Sequence, residues 1–398
     1  MADCHSFKQH RKTPVGVSLL AIAENQALEM LNVPPPSRAG SLLQGICGGF
    51  RNCGRERQML ISVQALRALA AWTVVCHHFM QIFFDFKARG PIGQLFIDKG
   101  AVGVDIFFVI SGLVIFLSTE SKPLPPARFL LYRLFRIVPA YWLYTLLMAL
   151  LVVFAQPLLP DQTVDWAHLL LSLVFIPTEN PGGYGIYPTL NVGWTLNYEM
   201  LFYLLFAWAL LFRLQVRLLV VAALLFAVCQ TWTGFGWISE FYRSDIVYEF
   251  LLGIGIGMLY RRGWIGTGLW LPLLVIGAAL LMIYHLAPAP RLLNWGVPSA
   301  VLVMACISLE RYVERSHVLK LLGDCSYSVY LMHVLVLSAG GFIAQRYAIN
   351  PYLMFVVCAL AIGVGSWLSY EWVEKRSYHW LKAQIDEKPD KNLSRQKY

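Results

Sequence analysis

Apolar runs, each about as long as a bilayer is thick, recur along most of this chain. A spanning helix needs about 20 mostly apolar residues. Runs of this kind lie at 61–84, 102–118, 137–155, 194–212, 217–233, 244–260, 265–285, 293–309, 322–344 and 351–372. Only 14% of the residues are charged, whereas soluble chains carry about 25%, which excludes a water-soluble enzyme. The pattern predicts an all-α fold, a polytopic membrane helix bundle of about ten transmembrane helices.

The segments outside these runs define the predicted domain organisation. Residues 1–58 contain no run long enough to span, and no cleaved signal peptide is evident. They are either a flexible cytoplasmic extension, or a segment that precedes the natural initiator Met59 and was included by choosing too early a start. Residues 59–374 form the predicted transmembrane domain, and residues 375–398 a cytoplasmic tail. The apolar segment 166–176 is too short to cross comfortably, so we expect it to be re-entrant or interfacial within the long loop 156–193.

The net charge of +9 is explained by topology. Lys and Arg gather in cytoplasmic loops of membrane proteins, and here they concentrate at alternate ends of the runs, while the loop 156–193 has none. We therefore predict that both termini are cytoplasmic, which an even number of crossings requires, and we expect no nucleic-acid partner. The eight cysteines include no CxxC pair, so a disulfide scaffold or a metal site is not expected.

Ionisable residues inside the runs are the first functional candidates, because each costs about 2.5–3.5 kcal/mol at bilayer depth. They are Arg67, His77, His78, Asp105, Glu199, Glu249, Asp324 and His333. Arg67 and His78 are eleven residues apart, about three helical turns and roughly 16 Å, so they share a face of the first helix. His77 points about a quarter turn away.

Three of these groups are expected at a similar depth in the outer half of the bilayer. His78 lies near the end of the first run, and Asp105 and Glu199 lie just inside runs that enter from the opposite side. A histidine held by a carboxylate is typical equipment of a general base acting on a hydroxyl. Two alternatives stay open: His78 is a hydrogen-bonded packing residue, or one of the carboxylates neutralises Arg67 across helices.

A basic segment precedes the third spanning run. Arg133 and Arg136 are three residues apart, hence neighbours on one helical face. Two guanidinium groups suit bidentate phosphate binding. The same pair also fits a positive-inside anchor to anionic lipid, and the sequence leaves both interpretations open.

Six segments carry a family resemblance over nearly everything after Met59. They are QALRALAAWTVVCHH (64–78), GVDIFFVISGLVIF (103–116), the RLFR loop, WTLNYEMLFY (194–203), CSYSVYLMHV (325–334) and YEWVEK (370–375). In this order they resemble the acyltransferase 3 family of integral-membrane bacterial O-acyltransferases. They are most similar to the motifs of members that act on exopolysaccharide, O-antigen and related glycans. Leu113 stands where Phe is common in the family, and Thr195 where Ser is common.

The resemblance implies a protein of the bacterial inner membrane that transfers an acyl group, usually acetyl, from cytoplasmic acyl-CoA to a sugar hydroxyl. The acceptor would be a lipid-linked or exported glycan, and no metal is implied. The resemblance implies that Arg67 and His78 are the essential catalytic pair and that Glu199 is the acid. Asp105 is a further catalytic candidate because of its expected depth. The implied donor-binding residues are Arg133, Arg136, Arg67, Ser111, Gly112 and Tyr327.

The expected mechanism has His78 take the proton of the acceptor hydroxyl, while Glu199 or Asp105 orients its ring. A covalent relay through acylated His78 is the open variant. The alternative function is a glycan transporter or flippase, because intramembrane histidines and carboxylates also build proton relays. No inverted repeat is evident to favour it.

Overall fold

Helices make up most of the part of the chain that the computed structural model describes, residues 60–87, 90–120, 124–159 and 162–386. The predicted extension 1–58 and the end of the tail from residue 387 lie outside the described residues. The α-helices in chain order are α1 (Ile61–Phe84), α2 (Pro91–Lys99), α3 (Val102–Glu120), α4 (Pro126–Phe154), α5 (Trp166–Leu173), α6 (Trp194–Ala209), α7 (Leu214–Phe226), α8 (Glu249–Arg261), α9 (Trp270–His285), α10 (Val297–Ser308), α11 (Glu310–Val313), α12 (His317–Arg346), α13 (Pro351–Ser369) and α14 (Arg376–Asp386).

Each apolar run that predicted a crossing overlaps one of these helices, so the predicted membrane helix bundle is confirmed. Among the described residues, five helical stretches are long and apolar enough to span: α3, α4, α7 with its continuation to Trp232, α12, and α13 with its continuation to Ile385. Helices α9 and α10 are shorter apolar segments. Helix α5 has eight residues, too few to cross a bilayer, in agreement with the interfacial interpretation of this segment.

Helix α3 lies at the centre of the bundle. Its most apolar window is 72% buried, against 22% for α7 and its continuation. Helix α3 packs against α1 and α8, and α12 packs along α1 on one side and α13 on the other. The outward side chains of the peripheral helices are apolar, for example Leu219 on α7 and Leu274 on α9, which are 69% and 71% exposed. An apolar exterior of this kind faces lipid hydrocarbon rather than water.

Two glycines allow α3 and α8 to pack closely. A Cβ added at Gly112 would lie 2.1 Å from the Phe250 carbonyl oxygen, and one at Gly253 would lie 2.0 Å from the Val109 carbonyl oxygen. Small residues let helix backbones approach in membranes, where packing rather than the hydrophobic effect drives association. The crossing of α3 and α8 is therefore fixed by backbone contact.

The start of α1 is stabilised by a carboxylate from a distant segment. Leu60, at the N-cap position, provides no side-chain cap. Instead, Glu310 of α11 accepts hydrogen bonds from the backbone N–H groups of Ile61 and Ser62, both at 2.8 Å, and from the Ser62 hydroxyl at 2.6 Å. Negative charge at a helix N-terminus satisfies orphan donors and complements the helix dipole. This contact fixes the helix that carries Arg67 and His78.

Candidate active site

A pair of histidines from two helices forms the centre of the candidate site. Nε2 of His333 on α12 lies 3.2 Å from Nδ1 of His78 on α1, and the ring centroids are 4.9 Å apart. His333 is fully buried, whereas His78 is partly exposed. The sequence identified both as intramembrane ionisable groups, but it predicted a carboxylate as the partner of His78. In the structure its side-chain partner is His333.

Backbone carbonyls define the tautomers of this histidine pair. Nδ1 of His333 faces the Val329 carbonyl at 3.3 Å, and Nδ1 of His78 faces the Val74 carbonyl at 3.0 Å. Since a carbonyl can only accept, we assign the proton of each neutral ring to Nδ1. Nε2 of His333 then accepts from His78, and Nε2 of His78 keeps its lone pair. Within the described part of the chain, no hydrogen-bond partner occupies that nitrogen.

His77 is held by a different element. Its Nδ1 donates to the Phe96 carbonyl of α2 at 2.9 Å, and its ring meets that of His78 edge to face. The helical spacing favoured His78 over His77 as the histidine on the Arg67 face of α1. In the structure the two rings contact different partners. The role of His78 in catalysis stays a prediction.

One face of α6 connects the histidine pair with the basic segment. Thr195, Glu199 and Tyr203 are spaced four residues apart, so they lie above one another along that face. Glu199 accepts hydrogen bonds from the Ser111 hydroxyl of α3, at 2.8 Å, and from the Tyr203 hydroxyl. Two donors hold this carboxylate in a partly exposed position.

Thr195 reaches the histidines through Tyr330. Its hydroxyl lies 3.0 Å from the Tyr330 hydroxyl, which donates to the Val192 carbonyl at the same distance. The Tyr330 ring is 5.9 Å from that of His333 on the same helix. The sequence did not predict a role for Tyr330, although its position three residues before His333 places both on one face of α12.

The basic residues Arg133 and Arg136 of α4 lie near the Glu199 carboxylate. Arg133 donates to the Ser118 hydroxyl at 2.6 Å, and its guanidinium lies 5.8 Å from the centre of the Tyr203 ring. Arg136 is exposed. The charged neighbours of Arg133 are Arg136 and Glu199. The predicted anion-binding pair therefore lies next to the predicted acid.

Arg67 belongs to the same polar region. Its charged neighbours are Arg136, Glu374, Glu199 and Asp324, and it donates to the Gln64 side chain at 3.1 Å. Tyr327 of α12 donates to the Ile137 carbonyl of α4 at 2.9 Å. The structure thus brings five predicted residues together around one centre: Arg67, Ser111, Arg133, Arg136 and Glu199.

Two predicted residues lie in other environments. Asp105 is fully buried and bonded in a bidentate manner to Arg291, with N–O distances of 2.8 Å to both carboxylate oxygens. Glu249, also fully buried, lies close enough to Asp105 for the two carboxyl groups to interact. Gly112 packs against the backbone of α8. The predicted roles of Asp105 in catalysis and of Gly112 in donor binding remain untested predictions.

The long loop after α4 is packed through buried polar contacts. His168 of α5 bonds to the Thr178 hydroxyl at 3.0 Å, and the Tyr141 hydroxyl of α4 donates to the Ser172 carbonyl at 2.9 Å. Burial lowers the pKa of His168, although Asp165 opposes this shift. A loop held in this way can present a defined surface beside the start of α6.

These features define a class of protein, a polytopic membrane protein with a polar site buried among its helices. A family model described as an acyltransferase domain, that of the acyltransferase 3 family, matches residues 60–371. The chain belongs to this family, and the resemblance predicted from the motifs is confirmed. It is accordingly an acyl-transferring enzyme of the membrane, which uses an acyl donor.

Three curated proteins are similar to the chain. Exopolysaccharide production protein ExoZ of Rhizobium meliloti is 33% identical over 306 residues, covering 72% of this chain and 92% of that protein. Acyltransferase MdmB of Streptomyces mycarofaciens is 29% identical, covering 71% and 80%. BcsY of Komagataeibacter xylinus, named as a membrane-bound transacylase, is 28% identical, covering 86% and 87%. No solved structure matches the chain.

Proposed function

We propose that this enzyme is an O-acetyltransferase that moves acetyl from acetyl-CoA to a sugar hydroxyl of an exported or lipid-linked surface polysaccharide. Membership of the acyltransferase 3 family supports acyl transfer. The name of the relative ExoZ supports a polysaccharide acceptor. The observation that carries the chemistry is the contact of His78 Nδ1 with His333 Nε2 and the Val74 carbonyl. With the proton assigned to Nδ1, Nε2 of His78 has a free lone pair.

In the proposed reaction, His78 is the general base. Nε2 of His78 removes the proton of the sugar hydroxyl as the oxygen attacks the thioester carbonyl carbon. The tetrahedral intermediate collapses with cleavage of the C–S bond, and the thiolate of CoA takes the proton from His78. The products are the sugar ester and CoA, and the histidine is again neutral. His333 Nε2 and the Val74 carbonyl accept hydrogen bonds from Nδ1–H of His78 and keep the ring oriented throughout.

The donor is proposed to enter from the side at which α1 begins. Arg136 is exposed there, and Arg67 is its charged neighbour, so a CoA phosphate can be bound by two guanidinium groups. The flexible arm of CoA then extends along α1 and α6 toward His78. Glu199, held by hydrogen bonds from Ser111 and Tyr203, places a negative charge near Arg133.

We infer a location in the bacterial inner membrane with both termini cytoplasmic. The Arg-rich start of α4 then lies at the cytoplasmic side, where acyl-CoA is present. The loop that contains α5 carries no Lys or Arg and lies on the opposite side, as the positive-inside rule favours. Donor and acceptor would approach His78 from opposite faces of the membrane.

A direct assay tests the proposal. Purified wild-type enzyme is supplied with radiolabelled acetyl-CoA and with oligosaccharide released from the producing strain's own polysaccharide, and both ester formation and CoA release are measured. We expect His78→Ala to lower the rate about 10²- to 10⁴-fold, the usual contribution of a general base, while His77→Ala stays near wild type. Glycan movement without CoA release would instead support a transporter.

The folded state of each variant is checked by size-exclusion chromatography in detergent. A His78→Ala protein that elutes as wild type and still acetylates at the wild-type rate would refute the assigned role of His78. Loss of activity in His77→Ala alone would indicate that the wrong ring had been assigned.

A further inference from the structure

An aromatic pocket opens beside the start of α6, outside the polar site described above. Its volume is about 420 Å³, and it is lined by Ile186, Tyr187, Trp194, Tyr198, Glu240 and Phe241. Four of these six residues are aromatic. We name it the α6 pocket. None of the six residues has a role in the proposed proton transfer or in binding of the donor phosphates.

The walls of the α6 pocket are fixed by mutual contacts. The rings of Tyr198 and Phe241 stack with centroids 4.5 Å apart and planes 22° apart. The Trp194 ring meets Tyr198 edge to face at 87°, and the Tyr198 hydroxyl donates to the Phe241 carbonyl. Since Tyr198 is buried, it supports the wall, and Tyr187, which is 38% exposed, lies at the mouth.

One carboxylate is placed at the rim of the α6 pocket. The Glu240 side chain is 61% exposed and bonded to Arg243 at 3.0 Å. The pair leaves both carboxylate lone pairs and guanidinium N–H groups accessible to a ligand. It adds no net positive charge, so the pocket does not suit a phosphate group. It is also too polar at its mouth to suit a lipid chain.

Aromatic walls with a polar rim match the chemistry of a pyranose ring. A sugar presents C–H groups on its faces and hydroxyl groups around its edge. The C–H faces pack against the electron-rich faces of aromatic rings, and the edge hydroxyls donate to carboxylates and accept from guanidinium N–H groups. A few well-placed polar groups in a mostly apolar concavity are typical of small-ligand sites.

The pocket is connected to the histidine pair through adjacent residues. Trp194, in its wall, precedes Thr195 in α6. The Thr195 hydroxyl lies 3.0 Å from that of Tyr330, and the Tyr330 ring is 5.9 Å from His333, which contacts His78. The α6 pocket and the proposed base are thus linked by a continuous series of side-chain contacts that begins one residue from the pocket wall.

We propose that the α6 pocket is an acceptor subsite that holds a pyranose unit of the glycan next to the one being acylated. This inference rests on the proposed function, since it assigns the acceptor of that reaction. The pocket binds sugar through stacking on Tyr187 and Trp194 and through hydrogen bonds to Glu240 and Arg243. It contributes to acceptor affinity and selects which sugar presents its hydroxyl to His78.

The test separates acceptor binding from donor binding. Tyr187→Ala and Trp194→Ala are compared with Trp237→Ala, a control at a 72% exposed aromatic residue outside the pocket lining. We expect the KM for the released oligosaccharide to rise about tenfold in the pocket variants, as expected for loss of one stacking contact, with the KM for acetyl-CoA within about twofold of wild type. Trp194→Phe, which keeps a ring, should restore most of the affinity.

The results distinguish the two proposals. An active wild-type enzyme whose pocket variants keep the wild-type acceptor KM would overturn the acceptor subsite and leave the acetyltransferase proposal intact. Equal changes in both KM values, or the same change in Trp237→Ala, would also overturn it. If the wild type transfers no acetyl, the proposed function fails. Oligosaccharide quenching of tryptophan fluorescence, present in wild type and lost in Tyr187→Ala, then still measures sugar binding, and its absence from wild type would overturn the pocket assignment.

Discussion

The contact between α3 and α8 makes a sharp prediction about stability. In Gly253→Ala the new Cβ would lie 2.0 Å from the Val109 carbonyl oxygen, whereas real Cβ contacts essentially never fall below 3.0 Å. One helix must therefore move by at least 1.0 Å relative to the other. Gly255, two residues further along α8, has no atom within 4 Å of its added Cβ. It provides a matched control.

The magnitudes follow from packing and helix propensity. Overpacking a tight contact costs about 1–3 kcal/mol, whereas alanine stabilises an unobstructed helix interior by about 1 kcal/mol relative to glycine. Both variants gain the propensity term, so we expect them to differ by the overpacking cost alone, about 1–3 kcal/mol. At about 2 °C per kcal/mol this separates their unfolding midpoints by roughly 2–6 °C. Gly253→Ala lies below wild type and Gly255→Ala at or above it.

The assay is thermal unfolding in detergent, followed by size-exclusion chromatography with fluorescence detection. Acetyl transfer is measured in parallel, because displacement of α3 also moves Ser111 away from Glu199, with which it forms a hydrogen bond of 2.8 Å. Equal midpoints for the two variants would refute the backbone contact, and with it the argument that glycine fixes this helix crossing.

Three further predictions concern the polar contacts. His333→Ala should lower acetyl transfer about 10²-fold while the protein elutes as wild type, because it removes the acceptor that orients His78; normal turnover in the assay above would contradict this. Arg291→Met should destabilise the bundle by about 3–5 kcal/mol, since it leaves Asp105 buried without its partner, and Asp105→Leu combined with Arg291→Met should recover much of the midpoint. Burial lowers the pKa of His168, so protonation of His168 favours the unfolded state. The unfolding midpoint should therefore fall as the pH drops below about 6.5. A His168→Gln protein with the same pH dependence as wild type would exclude this cause.

The sequence predicted the positions of the helices better than it predicted which helices contact each other. Runs of about 20 apolar residues arise from bilayer thickness alone, a local property that one sequence displays. The spacing of Arg67 and His78 on one face is equally local. The contact of Glu310 with Ile61 spans 249 residues, and that of His333 with His78 spans 255. No local periodicity specifies which helices meet, so these partners required a structure.

Asp105 shows how the prediction of depth reached its limit. Depth placed it level with His78 and Glu199, and a helix position does give depth along the bundle. It does not give the direction in which the side chain points around the bundle axis. The partner of Asp105 is Arg291, 186 residues away in sequence, which donates hydrogen bonds to both carboxylate oxygens. An arginine at the predicted loop boundary before the eighth run was the only signal of this pair in the sequence, and charge topology explained it equally well.

The polar site has two layers, the histidine pair and the arginines Arg67, Arg133 and Arg136. The distance between these layers constrains the donor in the proposed reaction. Arg67 and His78 are eleven residues apart on α1, roughly 16 Å along its axis. Thr195 and Tyr203 on one face of α6 are eight residues apart, about 12 Å. Thr195 contacts Tyr330 beside the histidine pair, and Tyr203 lies beside Arg133. A donor anchored by its phosphates at the arginines must therefore present its thioester more than 10 Å away. A phosphate group joined to the acyl carbon directly, as in acetyl phosphate, cannot contact both layers at once. Acetyl-CoA has a long arm between its phosphates and its sulfur, and it meets the requirement. The same geometry predicts that acetyl phosphate does not replace acetyl-CoA in the transfer assay, and turnover with acetyl phosphate would place the anion site next to His78 instead.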